Sequence, residues 1–228
     1  MKRIVIIPSG GSGQRVGSSL PKQYIKINGK ELIYYTLKVF QDSPEIDEIV
    51  LAAQCEYFTL IEDLAKINSI TKISGIVEGG NTRQESVYKA LLSLNPEDNP
   101  TIIVHDAVRP FLTSGILSEG IRTAEKEGAA VTAIPATDTL LTGKNYVSEY
   151  LDRTGIFYVQ TPQVFKYDII KFSFDKAKEE NFAGTDESMI VKNAGYNIKI
   201  INGSPLNMKI TTKDDFEIAD NILSKSFG

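Results

Sequence analysis

Arg3-Ile4-Val5-Ile6-Ile7-Pro8-Ser9-Gly10-Gly11-Ser12-Gly13-Gln14-Arg15-Val16-Gly17 joins a run of branched apolar residues to a loop in which four of eight positions are glycine. A short continuous run rich in Val and Ile reads as a strand buried on both faces. Glycine lets the following backbone turn sharply and bring its N–H groups close to a ligand. A nest of such groups suits phosphate oxygens. Outward from this stretch, apolar runs at residues 48–53, 71–77, 101–105 and 129–134 alternate with amphipathic stretches at 31–41, 57–67, 84–94 and 114–127. In 84–94 the apolar stripe is Val87, Ala90, Leu91 and Leu94. This alternation predicts an α/β fold of three layers, a mostly parallel sheet with helices on both faces. Ligands then bind where the loops gather, at the carboxyl ends of the strands.

The rhythm breaks after Pro135. Residues 136–150 carry a Thr142-Gly143-Lys144-Asn145 turn followed by Tyr146-Val147-Ser148-Glu149-Tyr150, which is hairpin chemistry. A β-arm at about 136–156 is expected, either covering the site or reaching a second subunit. The alternation resumes with a strand at 159–160, helices at about 166–179 and 186–194, a strand at 197–201 and a closing helix at 212–223. With no repeat, linker or low-complexity tract, residues 1–228 read as one domain with a projecting arm.

The 228 residues are 42% hydrophobic and 24% charged, the composition of an ordinary globular protein with a sizeable core. A formal net charge of −4 without a basic run argues against nucleic acid as a partner. No run is long enough for a membrane span, and the apolar stretch near Met1 is too short for a signal peptide. A cytoplasmic enzyme is the expectation. The single cysteine, Cys55, reads as a partly buried structural thiol. One cysteine and one histidine exclude the usual zinc cage.

The spacing Gly11-x-Gly13-x-x-x-Gly17 is neither the dinucleotide fingerprint nor Walker A, which needs Gly-Lys-Ser/Thr. Two cations, Arg15 and Lys22, flank the loop instead. Positioned cations and a metal are the usual means of stabilising a triphosphate and its transition state. Further on, Gly79-Gly80-Asn81-Thr82-Arg83-Gln84-Glu85-Ser86 ends the third strand and starts a helix. Thr82 or Asn81 suits the cap, and Glu85 a capping box. Capping leaves Arg83 and Ser86 unexplained, at a helix end that favours anions. His105-Asp106-Ala107-Val108-Arg109-Pro110 follows the fourth strand. Asp106 stands where ribose or metal-linked carboxylates stand, with an ion pair to Arg109 as the plainer reading. His105 reads as a packed residue without a hydroxyl or acidic partner. Near the end, Lys209 precedes a helix cap at Thr211 or Thr212.

Taken together, Pro8-x-x-Gly11-x-Gly13-x-Arg15, Pro21-Lys22-Gln23-Tyr24, His105-Asp106-Ala107-Val108-Arg109-Pro110, Gln160-Thr161-Pro162-Gln163 and Lys209-Ile210-Thr211-Thr212 resemble the 2-C-methyl-D-erythritol 4-phosphate cytidylyltransferases. The resemblance runs in order along nearly the whole chain. It implies a nucleotide-diphospho-sugar transferase (Rossmann-like) fold, a homodimer, and transfer of CMP from CTP to the sugar-alcohol phosphate in the non-mevalonate route to isoprenoids. It makes Arg15 and Lys22 the transition-state stabilisers. CTP falls to Ser9, Gly10, Gly11, Ser12, Gly13, Gly80, Arg83, Ser86 and Asp106. Thr139 and Arg153 on the arm reach the substrate phosphate in the neighbouring subunit, and Lys209 belongs to the same substrate site. The cofactor implied is Mg2+, held mainly by the triphosphate and not by a protein cage.

Ser9-Gly10 replaces a usual small apolar pair and Val16 a common methionine, changes that keep small or apolar character. A sister family, the ribitol 5-phosphate cytidylyltransferases, shares the loop motifs and often His-Asp-Ala-Val-Arg-Pro. Asp152-Arg153-Thr154-Gly155 and Thr185-Asp186-Glu187 favour the methylerythritol enzymes. A nucleotide sensor on the same fold would bind CTP without turnover.

Overall fold

The computed structural model describes residues 1–11, 20–96 and 98–227. The first strand, β1 (Arg3–Pro8), enters the glycine loop as expected. A 3₁₀ turn, Lys22–Tyr24, leads to a small ribbon of β2 (Lys26–Ile27) and β3 (Lys30–Glu31). Then come α1 (Leu32–Asp42), β4 (Glu48–Ala53), α2 (Phe58–Ile67), β5 (Ile73–Glu78), α3 (Arg83–Ser93), β6 (Thr101–Val104), α4 (Ser114–Glu127) and β7 (Ala129–Pro135). The second half holds β8 (Leu140–Gly143), β9 (Val147–Leu151), β10 (Phe157–Lys166), α5 (Tyr167–Glu179), α6 (Glu187–Asn193), β11 (Lys199–Asn202) and α7 (Lys213–Phe227).

Seven strands form one sheet in the order β11-β7-β10-β6-β1-β4-β5, and every pairing is parallel except those of β10. Because both faces are covered, alternate residues of one strand serve opposite cores. Val5 and Ile7 pack with Ile33, Leu37 and Phe40 of α1, Ile61 of α2 and Leu117 and Ile121 of α4. Ile4 and Ile6 pack with Val87 and Leu91 of α3, Phe174 of α5 and Val191 of α6. Each such fully buried side chain contributes roughly 1.5–3 kcal/mol, so the uninterrupted run Ile4–Ile7 has an apolar requirement at every position.

The strand read at residues 159–160 is in fact β10, ten residues long and central in the sheet. Two features concealed it. Its core-facing stretch carries Gln160, Thr161 and Gln163, and Pro162 cannot donate to a ladder. The structure accommodates both with a bulge: pairing to β7 jumps from Val159↔Ala133 to Gln163↔Val131. The displaced groups find other partners. Thr132 donates its hydroxyl to the Pro162 carbonyl (2.6 Å), and Asn207 donates its amide to the Thr161 carbonyl (2.8 Å).

The hairpin β8–β9 forms a separate ribbon, and β9 is exposed at all five residues. At Gly143 a side chain would meet the Tyr146 carbonyl oxygen at 2.3 Å, which is why this turn takes glycine. Leu141, Tyr146, Val147, Tyr150 and Leu151 of the ribbon are exposed, as are Phe157, Tyr158 and Val159 where the chain rejoins the sheet. Cys55 is exposed, not partly buried as expected. The strand ends at Ala53, so the thiol stands on the turn beyond it. Among the described residues no helix is long and apolar enough to cross a membrane.

Candidate active site

The chain runs outward from β1 through β4 to β5, then crosses back through α3 to β6 on the other side of β1. Strand order reverses between β1 and β6, and such a switch point opens a crevice at the carboxyl ends. A cleft of about 580 Å³ lies there. Ser9, Gly10, Gly11, Lys22, Gly80, Arg83, Ser86, Asp106 and Lys209 all line it. Residues predicted up to 200 positions apart thus meet around one space. Ser12, Gly13 and Arg15 lie outside the described residues. Thr139 and Arg153 do not line this cleft. They sit exposed beside the arm, where Arg153 donates to the Thr137 carbonyl.

The cleft is built from close backbone approach. Gly10 and Gly79 touch, with the Ser86 hydroxyl wedged against both. That hydroxyl accepts from Gly80 N–H (3.0 Å) and donates to the Thr82 carbonyl (2.9 Å). A side chain at Gly80 would overlap Glu85 at 2.2 Å. Thr82 caps α3 by accepting from Glu85 N–H, while Glu85 reaches back to accept from Asn81 N–H (2.7 Å). The uncapped N–H groups and dipole of α3 therefore open on the cleft. Gln23, to which no role had been assigned, donates to the carbonyls of Ser9 (2.6 Å) and Gly11 (3.1 Å) and so pins the start of the glycine loop. The Ser9 hydroxyl turns inward to the Ala52 carbonyl.

Asp106 is the electrostatic centre. Its Oδ1 accepts from Arg83, and its Oδ2 pairs with Arg109 and with Lys209, each at 3.1 Å. The plain reading, an ion pair with Arg109, holds, and two further cations join it. Those cations keep the Asp106 carboxyl well below the usual range against the cost of its burial. Lys209 arrives because its segment is bracketed: Arg109 donates to the Asn207 carbonyl (2.8 Å) and Ile210 N–H donates to the Val108 carbonyl (3.0 Å). Thr212 rather than Thr211 caps α7.

His105 does have a hydroxyl partner, supplied by β10. Its Nε2 faces the Arg109 carbonyl at 3.0 Å, which requires the proton there, so Nδ1 accepts from Thr161 (3.1 Å). Thr161 in turn accepts from Asp106 N–H (3.0 Å). Complete burial lowers the imidazole pKa to about 4. This sealed, neutral ring is tied through Thr161 to the Asp106 backbone and does not line the cleft.

Glu187 went unassigned as a site residue. It is buried beneath the cleft and pairs with Arg83. Burial pushes its carboxyl above the ordinary range while Arg83 opposes the shift. It stood in the quoted Thr185-Asp186-Glu187 stretch without a role, and only the fold turns it inward to Arg83.

Among the described residues the cleft thus offers three lining cations, Lys22, Arg83 and Lys209, against one lining carboxylate. No cysteine or histidine lines it among the described residues. Asp106 has both oxygens in ion pairs, and no group of three metal-ligating side chains occurs among the described residues. These residues do not fit a magnesium ion held by the protein. The arrangement of these cations is suited to polyanions.

A family model described as 2-C-methyl-D-erythritol 4-phosphate cytidylyltransferase matches residues 3–225. A protein of that name from Syntrophus aciditrophicus is 41% identical over 230 residues, covering 100% of this chain and 98% of the relative. The solved structure of 4-diphosphocytidyl-2C-methyl-D-erythritol synthase from Anaerococcus prevotii superposes with a TM-score of 0.82 at 28% identity, covering 98% of each chain. That of the Francisella tularensis 2-C-methyl-D-erythritol 4-phosphate cytidylyltransferase gives 0.81 at 31% identity, covering 96% of this chain and 99% of the other.

Proposed function

The chain belongs to the 2-C-methyl-D-erythritol 4-phosphate cytidylyltransferase family, and from that premise we propose that its cleft transfers CMP from CTP to 2-C-methyl-D-erythritol 4-phosphate, in isoprenoid synthesis by the non-mevalonate route. A phosphate oxygen of the sugar alcohol forms a bond to the α-phosphorus of CTP. The bond from that phosphorus to the bridging oxygen breaks, and pyrophosphate leaves with the electron pair. The attacking group is already an anion, so positioning and charge stabilisation supply the catalysis. The observation that carries this reading is the convergence of Lys22, Arg83, Lys209 and the N-terminus of α3 on a glycine-walled cleft that, among the described residues, is lined by no cysteine or histidine.

In this reading Gly10 and Gly11 approach the triphosphate through their backbone, and Lys22 with Arg15 stabilises the charge that grows as pyrophosphate departs. Gly80, Arg83, Ser86 and Asp106 hold base and ribose, and Lys209 meets the sugar phosphate. Magnesium belongs to the nucleotide rather than to the protein, in keeping with the saturated Asp106. The exposed apolar residues of the arm, a surface of the kind that marks protein contacts, support a homodimer in which Thr139 and Arg153 serve the partner's cleft. The cytoplasm is the compartment that fits a reaction between soluble metabolites.

Pyrophosphate release from CTP, measured with 2-C-methyl-D-erythritol 4-phosphate and with ribitol 5-phosphate, tests the reading. Faster turnover with the methylerythritol substrate is expected. Preference for ribitol 5-phosphate, or CTP binding without turnover, overturns it.

A further inference from the structure

Arg83 is gripped from two sides by carboxylates that come from different elements. Asp106, just past β6, takes Nε and Nη2 on Oδ1 at 3.1 Å each. Glu187, the first residue of α6, takes Nη1 on Oε1. The Glu187 side chain is 1% exposed, and its Oε2 is buried without a hydrogen-bond partner among the described residues. A buried acceptor left in that state is unfavourable, so packing alone gives no reason for a carboxylate here.

The local fold does not need it either. Asp186 already caps α6 by accepting from Met189 N–H (2.8 Å). Ser188 N–H donates to Gln163 Oε1 (2.7 Å), and the Gln84 amide bridges the Phe182 carbonyl and Gly184 N–H at 3.0 Å each. These bonds dock α6 and the loop before it against α3 and β10. Glu187 is left one specific task, holding Nη1 of Arg83. A guanidinium has five N–H donors. Hydrogen bonds to Asp106 and Glu187 engage Nε and Nη1, Nη2 lies in ion-pair contact with Asp106, and among the described residues further N–H donors of Nη1 and Nη2 remain for a ligand.

We propose that Glu187 is a positioning residue for the nucleotide: it locks Arg83 between two carboxylates so that the remaining N–H pair is presented to CTP in one orientation. This role rests on the CTP reading above. Glu187 does not line the cleft, so it acts only through Arg83. Two flanking carboxylates also offset the charge of Arg83. Arg83 then contributes directional hydrogen bonds, and the phosphates are left to the other cations, Lys22 and Lys209 in the cleft with Arg15 and the arm's Arg153.

The test is steady-state kinetics of Glu187→Gln, Arg83→Ala and the double variant, with each substrate varied and folding checked by thermal melting. Glu187→Gln is expected to raise KM for CTP about tenfold, within the range of coupling between contacting residues. KM for the sugar phosphate should stay within about twofold and kcat within about threefold. In the Arg83→Ala background the same change should add nothing to KM for CTP. An equal rise in both KM values, or a full tenfold effect without Arg83, overturns the role. If Glu187→Gln does not fold, Glu187→Asp carries the same expectation, since it keeps the charge and shortens the reach. Absence of turnover by the unaltered enzyme would instead sink the functional reading, and this role with it.

Discussion

Two regions of the molecule carry cations assigned to the same substrate phosphate, and they are built in opposite ways. Lys209 lies on the cleft floor, tied to Asp106 in a cluster with Arg83 and Arg109 and backed by a sealed histidine. Arg153 lies beside an exposed ribbon, held among the described residues by the Thr137 carbonyl. The floor is organised by the chain itself. The arm presents its residues to solvent, its tyrosines Tyr146 and Tyr150 among them. Preorganisation and reach are thus divided between a rigid sheet edge and an extension of it, and substitutions should separate the two.

The largest expected effect is on the floor. Asp106→Asn leaves three cations facing a neutral amide. Removing one member of a buried ionic cluster costs about 3–5 kcal/mol, so urea denaturation should show a loss of that size together with weakened CTP binding. A loss under about 1 kcal/mol, the scale of an exposed pair, would mean the cluster does not organise the floor.

Next comes its pH dependence. The folded pKa of His105, about 4, lies below the ordinary 6.5. Above pH 6.5 the histidine is neutral folded or unfolded and contributes no slope. As pH falls from 6.5 to 4 only the unfolded chain takes up the proton, and stability is lost, by about 3 kcal/mol over the interval. Glu187, whose carboxyl is shifted upward, acts with the opposite sign. Comparing wild type with His105→Gln isolates the histidine, because the variant should lack that part of the acid slope. Parallel curves would contradict the buried neutral ring.

Lys22→Ala tests the charge at the loop. A lost transition-state stabiliser costs about a hundredfold or more in kcat, and a variant within a few-fold of wild type would remove Lys22 from the mechanism. The smallest effect belongs to the arm. Arg153→Ala should raise KM for the sugar phosphate by about tenfold, leave KM for CTP near wild type, and change stability by less than about 0.5 kcal/mol. Equal effects on both substrates would erase the distinction between arm and floor.

Legibility in the sequence follows the same division. The central parallel strands β1, β4 and β6 were readable because burial on both faces demands an apolar run, as in Ile4–Ile7. The glycine wall was readable because glycine is what the site needs, as at Gly80, where any side chain would overlap Glu85. β10 was hidden because its bulge turns Gln160, Thr161 and Pro162 into structural parts, and a polar run with a proline reads as loop. Glu187 and the Lys209–Asp106 pair were hidden because their partners are far away in the chain, and no local spacing announces a contact that the sheet order creates. Gln23 stood inside a quoted motif, yet its role as a pin on the Ser9 and Gly11 carbonyls appears only when the loop is folded.

A crystal structure with a non-hydrolysable CTP analogue tests the central claim most directly. The triphosphate should lie against the backbone of Gly10 and Gly11 within hydrogen-bond reach of Lys22, with the nucleoside beside Arg83 and Ser86. A nucleotide seated outside the crevice between β1 and β6, or one that leaves Lys22 facing solvent, would contradict it.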